Sequence, residues 1–306
     1  MKTAVITGAG GFLGGALSRK LLSMGIKVYG IDVRKEALGE FASIGDFVPV
    51  AGSFDDADGL KGIIGNDSVD VFYHFAWAGG FTDAIRDYKL QMLNAGKAGD
   101  AVMTAYAIGA KKFVYANTYN QYEIMNFLSS ETFEPRFTCI YSTGKTAASL
   151  ICRTLAFNLG MEYSAGLIPM PYGERNYSKQ LVNVVIHHLT EGNSPKLVEG
   201  NNLYDLVYID DIAEAFAAIG ERGKHMKEYY VGHRKLRTFR EWITEMRDCL
   251  APEVELKFGE YKDHQQIDYS KVDLDALFRD TGWECRAELK DHIGATAEWV
   301  QNNLTW

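Results

Sequence analysis

The sequence predicts an α/β protein: a doubly wound parallel sheet with helices on both faces, and a smaller α/β lobe toward the C-terminus. Three observations predict it. Strand-length apolar runs alternate with helix-period segments over the first 168 residues, the order that builds a parallel sheet. The first strand-to-helix junction is glycine-rich, TGAGGFLG at 7–14. The second strand closes on an acidic residue, Asp32.

Each element has its own reason. Residues 2–7 (KTAVIT) are a short apolar run bounded by glycines and read as a buried strand. Leu13, Leu17, Leu21 and Leu22 repeat at helical spacing across 12–24. Residues 26–31 form a second strand, and 48–50 and 71–75 two more. A long helix covers 84–108, a strand 112–116, a helix 142–158 and a strand 161–168. These make a Rossmann-type domain over 1–168. From 169 onward Pro169, Pro171, Gly173, Pro195 and Gly200 break the pattern into short elements. Residues 169–306 are therefore expected to form a smaller substrate-binding lobe, with some segments returning to the main sheet.

Composition excludes several classes. The chain has 306 residues, 47% hydrophobic and 24% charged, which fits a soluble globular protein of one large core or a large domain with a smaller one. A net charge of −8 argues against nucleic acid or an anionic membrane as partner. No apolar run is long enough to span a bilayer, and the N-terminus runs into a strand without a signal-peptide pattern, so a cytoplasmic location is expected. Cys139, Cys152, Cys249 and Cys285 are widely spaced without a CxxC and are expected to be free thiols.

Gly8, Gly11 and Gly14 follow a strand and open a helix. Such glycines permit a tight turn and let the backbone approach a pyrophosphate, while the helix N-terminus supplies amide donors and a favourable dipole. Asp32 lies 18 residues after Gly14. A carboxylate there can hydrogen-bond both ribose hydroxyls of an adenosine and repels a 2′-phosphate, which favours NAD(H) over NADP(H). Arg34 and Lys35, close by, pull the other way.

A second constellation is Thr118, Tyr141 and Lys145, the last two in YSTGK. Tyr and Lys at i and i+4 share a helix face. A free tyrosine titrates near 10 and is a poor base at neutral pH, but an adjacent ammonium and an oxidised nicotinamide favour its phenolate. Tyr141 could then accept a proton from a substrate hydroxyl while hydride leaves the same carbon, or protonate the oxygen in the reverse direction. Thr118 would hydrogen-bond that oxygen.

With these motifs the chain resembles the extended short-chain dehydrogenase/reductases, the branch of nucleotide-sugar epimerases, dehydratases and reductases. TGAGGFLG, HFAWAG at 74–79, FVYANT at 113–118 and YSTGK carry the likeness, and PMPYGE (169–174), LYDLVYIDDIAEA (203–215) and TGW (281–283) extend it over nearly the whole chain. The resemblance implies that Gly8, Gly11, Phe12, Leu13 and Gly14 hold the NAD pyrophosphate and Asp32 the ribose. It implies that Ser53 and Phe54 flank the adenine, with Ser53 where the family often has Asp. Phe75, Ala76, Trp77 and Ala116 would line the cofactor, Asn94 would support it, and Pro169 would lie near the nicotinamide amide. Tyr141 and Lys145 would serve both catalysis and the cofactor. The resemblance also implies a homodimer in which the two long helices pair into a four-helix bundle.

The departures narrow the reaction. Sugar 4,6-dehydratases of this family carry acids just after the catalytic Thr or Ser; here Tyr119 and Asn120 stand there, which disfavours dehydration. No Cys lies beside Thr118, against the double-inverting epimerase-reductases. What remains is 4-epimerisation, ketone reduction or alcohol oxidation. On the substrate side Met170 replaces a frequent Asn, and Tyr204 replaces the Arg that commonly grips the nucleotide diphosphate. Arg175, Lys179, Arg237 and Lys262 are possible replacements, and Tyr119 is a further substrate contact. A nucleotide-diphosphate sugar is the leading substrate, with a non-nucleotide substrate or a catalytically silent NAD-binding regulator as alternatives. His74 reads as structural. Adjacent His187 and His188 lack further ligands at metal spacing, so no metal is expected.

Overall fold

The computed structural model describes all of the chain except residues 42, 81, 82, 132, 133, 137 and 263–266. Its centre is a seven-stranded parallel sheet built from β1 (Thr3–Thr7), β2 (Lys27–Asp32), β3 (Phe47–Ala51), β4 (Val71–His74), β5 (Lys112–Thr118), β6 (Glu162–Ile168) and a late strand, Lys227–Tyr230. The spatial order runs from that late strand through β6, β5, β4, β1 and β2 to β3. The chain moves outward from β1 in both directions, so the crevice at the strands' carboxyl ends lies between β1 and β4, where a doubly wound sheet binds its ligand.

Both sheet faces are covered, and for this reason β1 is buried at all five positions. On one face α1 (Phe12–Ser23) contributes Leu17 and Leu21 to the core. On the other, α3 (Tyr88–Ala107) and α5 (Cys139–Asn158) contribute alanines such as Ala95, Ala98, Ala148 and Ala156. Small residues let these two helices approach closely: a Cβ at Gly144 would lie 2.9 Å from the Gln91 carbonyl oxygen. Between β3 and β4 runs α2 (Ala57–Ile64), and α4 (Gln121–Ser129) follows β5. Neither short helix carries a sequence signal strong enough to have been expected.

The helix expected over 84–108 begins later. Residues Asp83–Arg86 form a 3₁₀ turn, and Asp87 caps α3 by accepting from the amides of Lys89 and Leu90. Conversely, α5 starts three residues before the expected 142, which places Tyr141 inside the helix one turn ahead of Lys145.

After β6 come β7 (Met170–Tyr172), α6 (Leu181–Thr190), β8 (Leu203–Tyr204) and β9 (Leu206–Tyr208). The chain then returns to the main sheet. Helix α7 (Ile209–Arg222) lays Ile212, Phe216 and Ile219 on the core beside α1, and β10, the late strand Lys227–Tyr230, extends the edge beyond β6. β11 (Arg237–Thr238) pairs with β8, and α8 (Phe239–Leu250) starts from a capping box between Thr238 and Glu241. α9 (Ala276–Thr281) and α10 (Leu289–Asn303) complete the chain. Helices α6, α8 and α10 share a second core through Ile186, Trp242, Ile243 and Val300. No helix among the described residues is long and apolar enough to cross a membrane, and the four cysteines are unpaired.

Candidate active site

Two elements converge on the catalytic candidates. Thr118 is the last residue of β5, and Tyr141 and Lys145 stand on successive turns of α5. The Tyr141 hydroxyl lies beside Thr118. The Thr118 hydroxyl oxygen accepts from the Asn120 amide at 3.2 Å. Lys145 Nζ donates to the Ala116 carbonyl at 2.9 Å and lies 4.1 Å from the centroid of the Trp77 ring. All three side chains are buried. Burial disfavours the charged forms, so the Tyr141 phenol is pushed up, opposed by Thr118, and Lys145 is brought down to about 7.

The glycine loop has the geometry expected of a pyrophosphate cradle. Gly8 has φ +71, a conformation that penalises a side chain. A Cβ on Gly14 would stand 2.2 Å from the Gly8 carbonyl oxygen, so only glycine lets α1 start so close to β1. Phe12 and Leu13 form the first turn of α1. Asp32 ends β2 beside this loop. Its Oδ2 accepts from the Gly10 amide at 3.1 Å, and its Oδ1 from the Arg34 amide at 2.9 Å and Nε at 3.3 Å.

A cavity of about 580 Å³ opens along these groups, lined by Gly8, Gly11, Asp32, Ser53, Phe54, Phe75, Ala76, Trp77 and Asn94. A carboxylate, a glycine loop and an apolar wall fit the adenosine half of a dinucleotide. Asn94 acts on the backbone: its Nδ2 donates to the Ala78 carbonyl at 2.9 Å and its Oδ1 accepts from the Ala78 amide at 3.1 Å. His74 is buried and hydrogen-bonds Thr7 Oγ1 at 2.9 Å, and burial with the nearby Lys145 charge brings it down to about 3, so the ring stays neutral. Pro169 joins β6 to β7.

The substrate candidates separate. Tyr119 and Tyr204 are both buried and lie beside each other. Tyr204 also lines an apolar cavity of about 260 Å³ with Leu181, Val185, Leu197, Phe239, Tyr261 and Lys196. Met170 pairs with Leu206 through β7 and β9 and is half-buried. Arg175 stands elsewhere: it pairs with Glu40 and lines a different cavity, on the outer side of the glycine loop with Gly10, Gly11 and Phe12. Among the other cations considered, Arg237 is held by Glu245 at 2.6 Å, and Lys179 lies over the Trp306 ring.

Sequence reasoning missed Lys196, Gln91 and the Glu123–Arg136 pair. Gln91 has no neighbour in sequence that marks it, yet it is buried and holds the Trp77 indole N–H at 2.9 Å. Arg136 Nε meets the fully buried Glu123 at 2.7 Å, tying α4 to the segment before α5.

Residues 4–232 match the model of the NAD dependent epimerase/dehydratase family. A dTDP-glucose 4,6-dehydratase of Xanthomonas campestris pv. campestris is 23% identical over an alignment that takes in 100% of this chain and 95% of that protein. Its counterpart from Streptomyces griseus is 22% identical, with 99% and 95% covered. Among solved structures, a dTDP-glucose 4,6-dehydratase from Streptomyces venezuelae, solved with NAD bound, superposes with a TM-score of 0.79 at 20% identity, covering 98% of this chain and 97% of that one. UDP-glucose 4-epimerase from Thermotoga maritima, solved with UDP-glucose, superposes with a TM-score of 0.74 at 19% identity, covering 98% and 99%.

Proposed function

The chain belongs to the NAD dependent epimerase/dehydratase family, with NAD as its cofactor, and from that premise we propose that it oxidises or reduces a secondary alcohol or ketone of a nucleotide-diphosphate sugar, as a 4-epimerase or 4-ketoreductase, with Tyr141 as acid and base. The observation that carries the reading is the buried Tyr141 hydroxyl beside Thr118, with Lys145 one turn away on the same helix. NAD, when bound, supplies the acceptor or donor of the hydride. Tyr141 takes the proton of the substrate hydroxyl as the carbinol carbon gives up its hydride, leaving a carbonyl, and returns the proton when hydride comes back. Thr118 holds the oxygen as its bond order changes.

The Xanthomonas and Streptomyces griseus relatives are dehydratases, and eliminating water needs an acid and a base of its own. The two residues after Thr118 supply neither. Tyr119 carries a buried phenol beside Tyr204 and Asn120 an amide, neither a carboxyl group. The nearest carboxylate in sequence, Glu123, is neutralised by Arg136. The apolar cavity at Tyr204, with Phe239 and Tyr261 as ring faces and Lys196 at its edge, suits a nucleotide base with a phosphate nearby. Incubation with a panel of UDP- and dTDP-sugars tests this: a 4-epimer or a reduced 4-hydroxyl product is expected. A 4-keto-6-deoxy product would overturn the reading, and so would turnover of free sugars alone.

Asp32 leads us to expect tighter NADH than NADPH binding by calorimetry, by about tenfold or more, because the 2′-phosphate would meet a carboxylate 6% exposed and already ringed by donors. Tighter NADPH binding would shift the role to Arg34.

We also infer a homodimer through α3 and α5. Met92, Met103, Leu150, Ile151 and Phe157 are exposed on these helices, Phe157 at 68%. Single exposed apolar residues need no explanation, but this many on two adjacent helices fit a covered face. Light scattering at micromolar concentration is expected to give twice 34.2 kDa; a monomer would contradict the inference.

A further inference from the structure

Tyr141, Lys145 and Ser149 are spaced by four along α5, so they share one face of the helix. Ser149 is buried and takes no part in the reaction described above. Its Oγ donates to Glu228 Oε1 and lies 3.3 Å from the Tyr163 hydroxyl. Glu228 is half-buried and stands on β10, which pairs with β6 at the edge of the main sheet. Its other oxygen, Oε2, accepts from Gln121 Nε2 at 3.0 Å. Among the described residues its partners are thus a hydroxyl and an amide, not a cation.

From Gln121 the hydrogen bonds run to the other side of the site. Gln121 Oε1 accepts from Asn117 Nδ2 at 2.8 Å, and Asn117 Oδ1 accepts from the Thr118 backbone amide at 2.8 Å. Asn117 and Gln121 are both buried. The direction of every link is fixed from the two ends. A carboxylate only accepts, so Gln121 turns its NH₂ toward Glu228. A backbone amide only donates, so Asn117 turns its oxygen toward Thr118. The groups left over then match, the oxygen of Gln121 with the NH₂ of Asn117. Reversing either side-chain amide would set donor against donor or acceptor against acceptor away from water, which leaves buried groups unpaired.

This network joins the end of β5 to α5 through a side chain that belongs to neither, 107 residues beyond Gln121. Thr118 and Tyr141 have to meet on one substrate oxygen, and misplacing a reacting group by about 1 Å is enough to lower a rate by ~10²-fold. An apolar contact at position 228 would fill the space between the two elements. A carboxylate with two directed bonds also fixes their separation and orientation.

We propose that Glu228 is a positioning residue for the reaction: through Gln121 and Asn117 it holds Thr118, and through Ser149 it holds the helix that carries Tyr141 and Lys145. The inference rests on the reading of Thr118 and Tyr141 given above. It assigns Gln121, Ser149 and Glu228 a common role in turnover rather than separate roles in packing.

Hydrogen exchange tests the network without a substrate. Glu228→Ala is expected to speed exchange at the Thr118 amide by about tenfold and to leave the amides of Thr3–Thr7 in β1 unchanged. No acceleration at Thr118, or an equal acceleration in β1, would overturn the proposal, the second because it marks a general loss of stability. Gln121→Leu takes the place of Glu228→Ala if circular dichroism shows that the latter does not fold. Turnover with an active sugar nucleotide tests the role. Gln121→Leu and Ser149→Ala are each expected to lower kcat by about tenfold, with KM and NAD affinity within about twofold of wild type. The double variant should lose no more than the worse single one, because both cut the same network. Glu228→Gln should keep kcat within about threefold of wild type, since its oxygen can accept from Gln121 and its NH₂ can donate to Ser149. Additive losses, KM and kcat changing together, or a Glu228→Gln as impaired as Glu228→Ala would each overturn the positioning role. Near-normal turnover in Tyr141→Phe sinks the catalytic reading instead. Wild-type kcat in Gln121→Leu and Ser149→Ala beside an impaired Tyr141→Phe sinks only the role of Glu228.

Discussion

Tyr141→Phe is expected to lower turnover by about 10²–10⁴-fold, the usual range for losing a general acid or base, while leaving fold and NAD affinity near wild type. The substitution removes one hydroxyl from a side chain that is 8% exposed, and the ring keeps its edge contact with Trp77. What disappears is the phenol hydroxyl beside Thr118, the proposed proton carrier. Turnover is read with an active sugar nucleotide from the panel, and folding by circular dichroism. Near-normal turnover would show that Tyr141 is not the acid/base. Thr118→Val should cost less, because it removes a hydrogen bond to the reacting oxygen and leaves the proton carrier in place.

Lys145→Met is expected to lower turnover by about 10²-fold or more and to weaken NAD binding as well, since the proposed mechanism has a single ammonium serve both the phenol and the cofactor. It carries a second expectation, in the cofactor-free protein. Lys145 is brought down by burial from 10.5 to about 7. Between those values the folded protein binds fewer protons than the unfolded chain, so this residue makes stability rise with pH across that window. The cost of holding the ammonium is fully present below pH 7 and is relieved toward pH 10. Wild type should therefore gain melting temperature relative to Lys145→Met as pH rises from 7 to 10, with the methionine variant the more stable at pH 6–7. Parallel melting curves for the two proteins across that range would show that the buried ammonium carries no such cost.

Much of the first 168 residues is legible in sequence because each element is locally specified. Thr3–Thr7 is a short apolar run buried on both faces, the leucines of α1 repeat at helical spacing, and Gly8 and Gly14 mark a turn that a side chain does not fit. Tyr141 and Lys145 are legible for the same reason, since four residues along a helix fix their common face. Boundaries were less so. The start of α3 was set by the Asp87 cap, and the start of α5 by a segment that Arg136 and Glu123 tie to α4.

The C-terminal half was legible only as a loosened pattern. Its strands are two to four residues long and acquire their pairing from partners far along the chain: β11 on β8, β7 on β9, β10 on β6. Local propensity cannot choose such partners. Arg175 shows the consequence for the site. Its sequence position beside PYG suggested a substrate contact, yet the chain's path carries it to Glu40 and the outer side of the glycine loop.

The sequence by itself determined the sheet class and marked the glycine-rich turn and the Tyr141–Lys145 pair, since these depend on residue types at short, fixed spacings. Only the tertiary structure decided the surroundings of those groups. It set the indole of Trp77 over Lys145 through Gln91, buried Tyr119 beside Tyr204, paired Glu123 with Arg136, and folded Lys196 and Phe239 into one cavity. The physical reason is range: backbone geometry and helix periodicity act over a few residues, whereas burial, charge pairing and pKa shifts depend on whatever the fold brings within a few ångströms, at any distance along the chain.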